Sequence, residues 1–403
     1  MLRTYMLHSK KLLVVARVNH YQYQGKLYAS GPYARELEKW AEIFSEVTIA
    51  GSLLQGRPTG DCIPFQRENI RIVPVSETQA SGVGARWKQF CLLPRVIWQL
   101  AGYMRRADVI HVRCPCDLGL LGIILAPIFS RHLIAKYASE WLPFKGEAWA
   151  WRLQRNILRS FWWRGLVTIY GRWPNQPAKV KPFFTSVLTR DQLARARQAA
   201  SQYKPFNSLK VIYVGRLSAS KNVDVLLTAV AKVKAAGKAV ECTIVGDGPE
   251  RSALEAQTIR LGLSQRVTFT GGLAFESVLN YYEQANVLVL ASSVEGWGKA
   301  LVEGMAFGLV CIGTERGIMP QMLGEGRGLL VPVRDAEALA RRLEWITENE
   351  KESAAMAVRA AAWAQCYSLD GLCEALRKLM SEEWGFEMAP KAADKSQEEV
   401  FAK

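Results

Sequence analysis

The chain is poor in histidine, with four residues in 403, and contains no Asp-x-Asp pair. Its eight cysteines (62, 91, 114, 116, 242, 311, 366 and 373) are scattered. The one close pair, Cys114-x-Cys116, has neither a second pair nor histidines at zinc spacing. A structural zinc site is therefore not expected, and the cysteines read as reduced thiols of a cytoplasmic protein. The longest apolar stretch, Leu118 to Phe129, is 12 residues and too short to span a bilayer. Basic residues in Met1 to Lys11 are followed by no apolar core of signal-peptide type before Leu12 to Ala16. Gly246-Asp247-Gly248-Pro249-Glu250 lacks the third glycine of a dinucleotide fingerprint, so NAD binding is not read from it.

What the chain does have is length enough for two cores and a divided charge. At 403 residues it exceeds what one hydrophobic core usually organises. Residues 1 to 205 carry 30 Lys and Arg against 12 Asp and Glu, whereas the remainder carries 22 against 25. An excess of that size on one half suits a polyanion, an anionic membrane surface or a phosphorylated acceptor, though solubility charge alone would also account for it.

Buried-strand runs alternate with helical periodicity in both halves. In the first, strands are expected at Leu12 to Ala16, Val47 to Ala50, Ile70 to Val75, Val109 to Val112, His132 to Lys136 and Leu166 to Tyr170. A loop from Arg17 to Ser30 is expected to lead into a helix over Pro32 to Phe44. The second half repeats the pattern, with strands at Lys210 to Val214, Val240 to Val245, Arg266 to Thr270, Val287 to Leu290, Leu309 to Ile312 and Gly328 to Val331. Such alternation implies parallel sheets covered by helices on both faces. The expected division is a first domain over 1–185, a linker over 186–208, a second domain over 209–364, a helix over 365–386 that crosses back to the first domain, and a disordered tail over 387–403.

One stretch carries recognisable chemistry. Between two buried strands, Glu295-Gly296-Trp297-Gly298-Lys299 leads into a helix bearing Glu303, eight residues beyond the first carboxylate. Free amides at a helix start, approached over glycines, seat phosphate oxygens, and a carboxylate one turn further in accepts two hydrogen bonds from a vicinal diol. The unit can therefore hold a nucleoside diphosphate and a sugar.

With Val214-Gly215-Arg216-Leu217 and Lys221 upstream, this unit resembles the retaining glycosyltransferases of family 4, good from about Leu209 to Thr347 and general over the first half. The resemblance implies a GT-B fold: α/β, two Rossmann-like doubly wound domains facing across a cleft. It implies a hexose moved from a nucleoside-diphosphate sugar to a lipid-linked or polysaccharide acceptor, with no metal or other cofactor and no nucleic-acid partner. Arg216 and Lys221 would hold the diphosphate, where developing charge needs fixed cations. Glu295 would contact hydroxyls of the sugar, the amides of Gly296, Trp297, Gly298 and Lys299 would reach sugar and phosphate, and Glu303 would take the ribose. Lys299 would add a charge to the diphosphate or point to solvent. Gly215, Gly246, Gly272 and Leu273 would line the donor, with Gly25 approaching it from the first loop. In this class the departing phosphate takes the acceptor's proton, so no nucleophilic carboxylate is expected.

The resemblance weakens in the first half. Where the family commonly has two histidines after a strand, this chain has His111-Val112-Arg113, and a guanidinium binds a phosphate or a hydroxyl but is no base. His111 alone reads as a packing residue. Residues 140–173 hold six of the 13 tryptophans, and Arg152, Arg155 and Arg159 share one helical stripe. That helix, with Trp162 and Trp163, either lies on an anionic membrane from the cytoplasmic side or packs on the sheet with an exposed arginine face. Two other readings stay open: a nucleotide-sugar epimerase of the same fold, and a non-catalytic binding subunit.

Overall fold

The computed structural model describes residues 9–75, 83–144 and 146–386, so the expected tail over 387–403 lies outside the described residues. Among the described residues two compact units result, one running to 184 and resumed over 369–386, the other over 185–368.

The first unit is built on a mostly parallel sheet. Its strands are β1 (Lys11–Tyr23), β2 (Lys26–Ser30), β3 (Glu46–Gln55), β4 (Cys62–Pro64), β5 (Ile70–Pro74), β6 (Val109–Cys114), β7 (His132–Tyr137), β8 (Leu166–Tyr170) and β9 (Val180–Phe183). The parallel strands run β5-β3-β1-β6-β7-β8-β9, while β2 lies antiparallel on the end of β1 and β4 antiparallel on β2. Its helices are α1 (Gly31–Ala41), α2 (Val83–Met104), α3 (Asp117–Phe129) and α4 (Trp149–Arg159). The period of two along each strand sends Leu13, Val15, Ile110 and Val112 into one core with Leu100 of α2, Ile123 of α3 and Leu158 of α4. The alternate residues face α1, where His111 meets the Trp40 ring with centroids 4.8 Å apart.

The expected loop over Arg17 to Ser30 is instead strand. β1 continues to Tyr23, and Gln24 (φ 48°) with Gly25 (φ 74°) turns it into β2. Both turn residues are left-handed, the geometry of a two-residue hairpin whose usual marker is Asn-Gly or Asp-Gly. Glutamine in the first place hid it. Gly25 is therefore fixed by the turn, and a side chain there would meet open space.

The second unit contains α5 (Arg190–Ala200), β10 (Ser208–Val214), α6 (Val223–Ala235), β11 (Ala239–Val245), α7 (Arg251–Arg260), β12 (Val267–Gly271), α8 (Phe275–Gln284), β13 (Val287–Leu290), α9 (Lys299–Ala306), β14 (Val310–Thr314), α10 (Met319–Leu323), β15 (Leu329–Val331), α11 (Ala336–Glu348) and α12 (Glu350–Ala364). Its strands are all parallel, in the order β12-β11-β10-β13-β14-β15. Renumbered within the unit this is 3-2-1-4-5-6, the doubly wound order whose switch point lies between β10 and β13. The central strand β13, Val-Leu-Val-Leu, is apolar and buried along its whole length, as a strand covered on both faces should be. α5, in the stretch expected as a linker, is closed by a Thr189–Gln192 capping box and belongs to this unit.

A last helix, α13 (Leu369–Trp384), belongs to the first unit. Its Asp370 takes the Lys39 ammonium of α1 at 2.8 Å, and its end stacks Trp384 and Phe386 around His132. No helix among the described residues is long and apolar enough to cross a membrane.

Candidate functional site

The carboxyl ends of the second unit's central strands are joined backbone to backbone. Gly215 (φ 155°) follows β10 and donates its N–H to Val245 O at 3.0 Å; Gly246 (φ 139°) follows β11 and donates to Gly271 O at 2.9 Å. A Cβ on Gly246 would stand 1.9 Å from Gly215 O, and one on Gly248 2.2 Å from Leu217 O. Only glycine allows this approach. Past β12 the constrained residue is Gly271 (φ 73°), whereas Gly272 is exposed with open space around it and Leu273 is half-buried.

This seam holds out the loop after β10. The buried Tyr213 hydroxyl donates to Arg216 O at 3.0 Å, leaving the Arg216 side chain exposed. A short turn over Ala219–Lys221 then ends at Asn222, a buried residue in left-handed conformation (φ 49°). Asn222 Nδ2 donates to Ala291 O and to Ser293 Oγ, each at 2.8 Å, and Ser293 N donates to Ser220 O at 2.8 Å. The loops of β10 and β13 are thus bound together at the switch point, and Lys221 Nζ meets Glu295 Oε2 at 2.5 Å. Sequence reading missed Asn222; its signal was an asparagine, the residue besides glycine that most readily turns left-handed, just ahead of a helix.

From Glu295 the chain turns into α9. Gly298 (φ 59°) is the left-handed residue before the helix, and a Cβ there would strike Met319 Cε at 2.7 Å. Trp297, whose amide is expected to reach the donor, has a side chain that is 6% exposed and packs against Tyr367 and Trp363 with centroids at 5.4 and 6.4 Å. Its ring anchors the loop, so that at Trp297 only the backbone remains for a ligand. Lys299 is half-buried at the start of α9. Glu303, one turn into the helix, is 6% exposed, and its Oε2 accepts the Tyr282 hydroxyl at 2.7 Å. Burial, with the Glu303 charge, holds the Tyr282 phenol protonated, its pKa far above the usual tyrosine range. A phenol that can only donate to Oε2 fixes the plane of the carboxylate.

In the first unit His111 is a core residue. Burial pushes its pKa down to about 3, and Nδ1 has no hydrogen-bond partner. Arg113, two residues on, faces the same side; burial opposes its charge, but Glu36 at 3.7 Å keeps its pKa above the ordinary value.

The residues expected at a membrane divide. Trp163 is fully buried, with Nε1 donating to Leu166 O, and Arg155 is 3% exposed in a two-pronged pair with Glu147 at 2.5 and 2.7 Å. Neither reaches a surface, because the α4 stripe turns one arginine inward onto a buried carboxylate. Arg152, Arg159 and Trp162 do point outward, beside Trp149 at 75% and Phe161 at 89% exposure.

Residues 195–363 match the model of the family described as "Glycosyl transferases group 1". Among characterised proteins the chain is similar to the alpha-D-kanosaminyltransferase of Streptomyces kanamyceticus, 28% identical over 48% of this chain and 50% of that protein. It is also similar to the D-inositol 3-phosphate glycosyltransferase of Streptomyces scabiei, 30% identical over 51% of this chain and 48% of that one. The chain thus spans about half the length of these relatives. Among solved structures, sucrose-phosphate synthase from Thermosynechococcus elongatus has a TM-score of 0.69 at 21% identity, covering 93% of this chain and 98% of that one. HepE of Anabaena, solved with UDP and glucose, gives 0.66 at 17%, covering 93% and 100%. WaaG, described as a glycosyltransferase of lipopolysaccharide biosynthesis, gives 0.62 at 13%, covering 92% and 99%. The fold is that of the GT-B glycosyltransferases.

Proposed function

We propose, from the match of residues 195–363 to the group 1 glycosyl transferases, that the chain belongs to that family and is a retaining transferase moving a hexose from a nucleoside-diphosphate sugar to a lipid-linked or polysaccharide acceptor. The observation that carries the reading is the Lys221–Glu295 pair at the switch point, with the exposed Arg216 on the loop that carries Lys221 and Glu303 eight residues beyond Glu295. Two cations and two carboxylates on loops held by glycine and Asn222 match the parts of a sugar nucleotide. The diphosphate lies against Arg216, Lys221 and the amides before α9; Glu295 accepts from sugar hydroxyls; Glu303, its plane set by Tyr282, accepts from the ribose. The cations act where charge grows as the sugar–phosphate bond breaks, and being fixed they need no reorganisation at that moment. The acceptor attacks from the face the diphosphate leaves, its proton passing to the leaving phosphate, and no metal takes part.

An epimerase would need an acid and a base around the hexose. His111, the one histidine in a recognisable motif, is buried, neutral and packed against the Trp40 ring, which favours transfer. A non-catalytic binding subunit would bind the nucleotide sugar yet fail to hydrolyse it slowly in the absence of acceptor.

The outward residues of α4, Trp149, Arg152 and Arg159, with Phe161 and Trp162 of the turn after it, are the part of the first unit that meets an anionic membrane in this reading. Aromatic rings sit at headgroup depth while arginines take lipid phosphate. The enzyme then works from the cytoplasmic side.

The test of the donor site is a melting-temperature screen against UDP, GDP, ADP and their hexose derivatives in EDTA. A ligand that binds only the folded protein stabilises it by about 2.7 kcal/mol at 100 times its dissociation constant. A rise with one nucleotide series is expected. No rise with any of them, in a sample that melts cooperatively, would remove the donor site.

A further inference from the structure

The carboxyl ends of β6 and β7 carry a charged cluster that the donor chemistry of the second unit does not use. Arg113 and Lys136 are register neighbours on the face covered by α1. Glu36 of α1, 2% exposed, accepts from Lys136 at 2.6 Å and stands 3.7 Å from Arg113. One buried carboxylate therefore faces two cations. The neutral His111 adds no charge, and Asp117 is taken by Arg17 at 2.7 Å.

Arg113 has five N–H donors in a planar fork, and its side chain is 21% exposed. None of them makes a hydrogen bond within the described residues: its contacts are the 3.7 Å approach to Glu36 and the face of Tyr33, 5.3 Å from the ring centroid. Tyr33 is 5% exposed, and its hydroxyl has no partner. Its ring lies 5.6 Å from that of His20, whose Nε2 is also buried without a partner. Native proteins leave few buried polar groups unsatisfied, and each calls for a cause. A purely structural ion pair would bring the fork into contact with Glu36; here it stands off, with Lys136 holding the carboxylate instead.

A guanidinium fork matches two oxygens of an oxyanion, and the phenol supplies a donor for a third. Three donors suit a phosphoryl group better than a carboxylate, which has two oxygens. We propose that Arg113 and Tyr33 bind the phosphoryl group of a phosphorylated acceptor. The proposal rests on the transferase reading for the word acceptor, but the binding it requires is measured without donor or turnover.

The experiment is calorimetric titration of the full chain with inorganic phosphate and with glycerol 3-phosphate as a simple monoester. Arg216→Ala and Lys221→Ala are present throughout, so that the donor cations give no signal. Both ligands are expected to bind. Arg113→Gln weakens them at least about tenfold, the worth of a charge-assisted hydrogen bond, and Tyr33→Phe weakens them about threefold. Should Arg113→Gln fail to fold, Arg113→Lys keeps a cation beside Glu36 but removes the fork, and a loss of about tenfold is still expected. Absence of binding by both ligands, or affinity unchanged in Arg113→Lys and Tyr33→Phe, overturns the site. Binding of inorganic phosphate but not of the ester overturns the acceptor assignment in favour of the free ion. Phosphate binding in a protein that never turns over a sugar nucleotide would count against the transferase reading alone.

Discussion

The two units end their parallel strands in different ways. In the second unit the loops after β10, β11 and β12 lie backbone on backbone through Gly215, Gly246 and Gly271, and the charged groups stand on that frame. In the first unit the corresponding region on β6 and β7 is filled by side chains, with Glu36, Lys136 and Arg113 under Tyr33 and beside a buried histidine. A frame of backbone can be reused with many side chains upon it, whereas a cluster of side chains is remade with each substitution. This is why the second unit carries a family's pattern and the first does not.

The sharpest way to break the comparison is to remove charge from the frame without disturbing the frame. Lys221→Ala and Glu295→Ala are each expected to lower turnover by about 10² to 10³-fold, the usual cost of one preorganised electrostatic contact. The melting temperature should stay near that of the parent, because the loop remains tied by Asn222 and Ser293. Steady-state rates with the nucleotide sugar found in the screen check this; unaltered turnover in both variants would sink the donor site.

Acid separates the units next. All four histidines precede residue 133. In the unfolded chain each takes a proton below about pH 6.5. In the folded first unit burial delays this to about 4 for His20 and about 3 for His111. The unfolded state therefore binds more protons across that window, and stability present above pH 6.5 is lost as the pH falls towards 3. At about 1.4 kcal/mol per unit of depression, the two histidines together cost the first unit on the order of 8 kcal/mol by pH 3. Trp40, beside His111, should report an early transition in fluorescence, and His111→Phe should move it to lower pH. A single transition at an unchanged pH in that variant would show that histidine burial does not set acid lability.

Gly246→Ala tests the backbone frame itself. The new methyl would meet Gly215 O at 1.9 Å in a conformation alanine resists, and a loss of about 2 to 3 kcal/mol follows. Gly25→Ala has the φ penalty without the collision, so about 1 kcal/mol is expected there. Denaturant midpoints compare the two; equal losses would mean that close approach contributes nothing at Gly246.

The same contrast decides what could be read in advance. Strand runs and the glycines beside them are local signals, so the parallel sheets, and with them the strand-end loop and helix positions of Arg216, Lys221, Glu295 and Glu303, were legible. Asn222 and Tyr282 were not, because their roles depend on partners 69 and 21 residues away. Glu36 and Lys136, 100 residues apart, are individually ordinary surface residue types; only the fold makes them a buried pair. The β1–β2 hairpin failed for another reason, since Gln24 occupies a position where local chemistry favours asparagine.

The smallest effect concerns α4, where one helix face is core and the other is open. Helical periodicity placed Arg155 with Arg152 and Arg159, but Glu147 draws Arg155 inward, while Trp163 closes the core below. What remains outside is Trp149, Phe161 and Trp162 among Arg152 and Arg159. If this face meets an anionic bilayer, Trp149→Ser with Phe161→Ser should weaken co-sedimentation with phosphatidylglycerol vesicles by about tenfold, since each ring loses its apolar burial at the interface. Folding should be unaffected, because both side chains are already exposed. Arg155→Gln, by contrast, strips a buried Glu147 of its partner and should lower stability rather than vesicle affinity. Equal sedimentation of parent and double variant, or equal binding of the parent to neutral vesicles, would leave the open face of α4 as solvated surface.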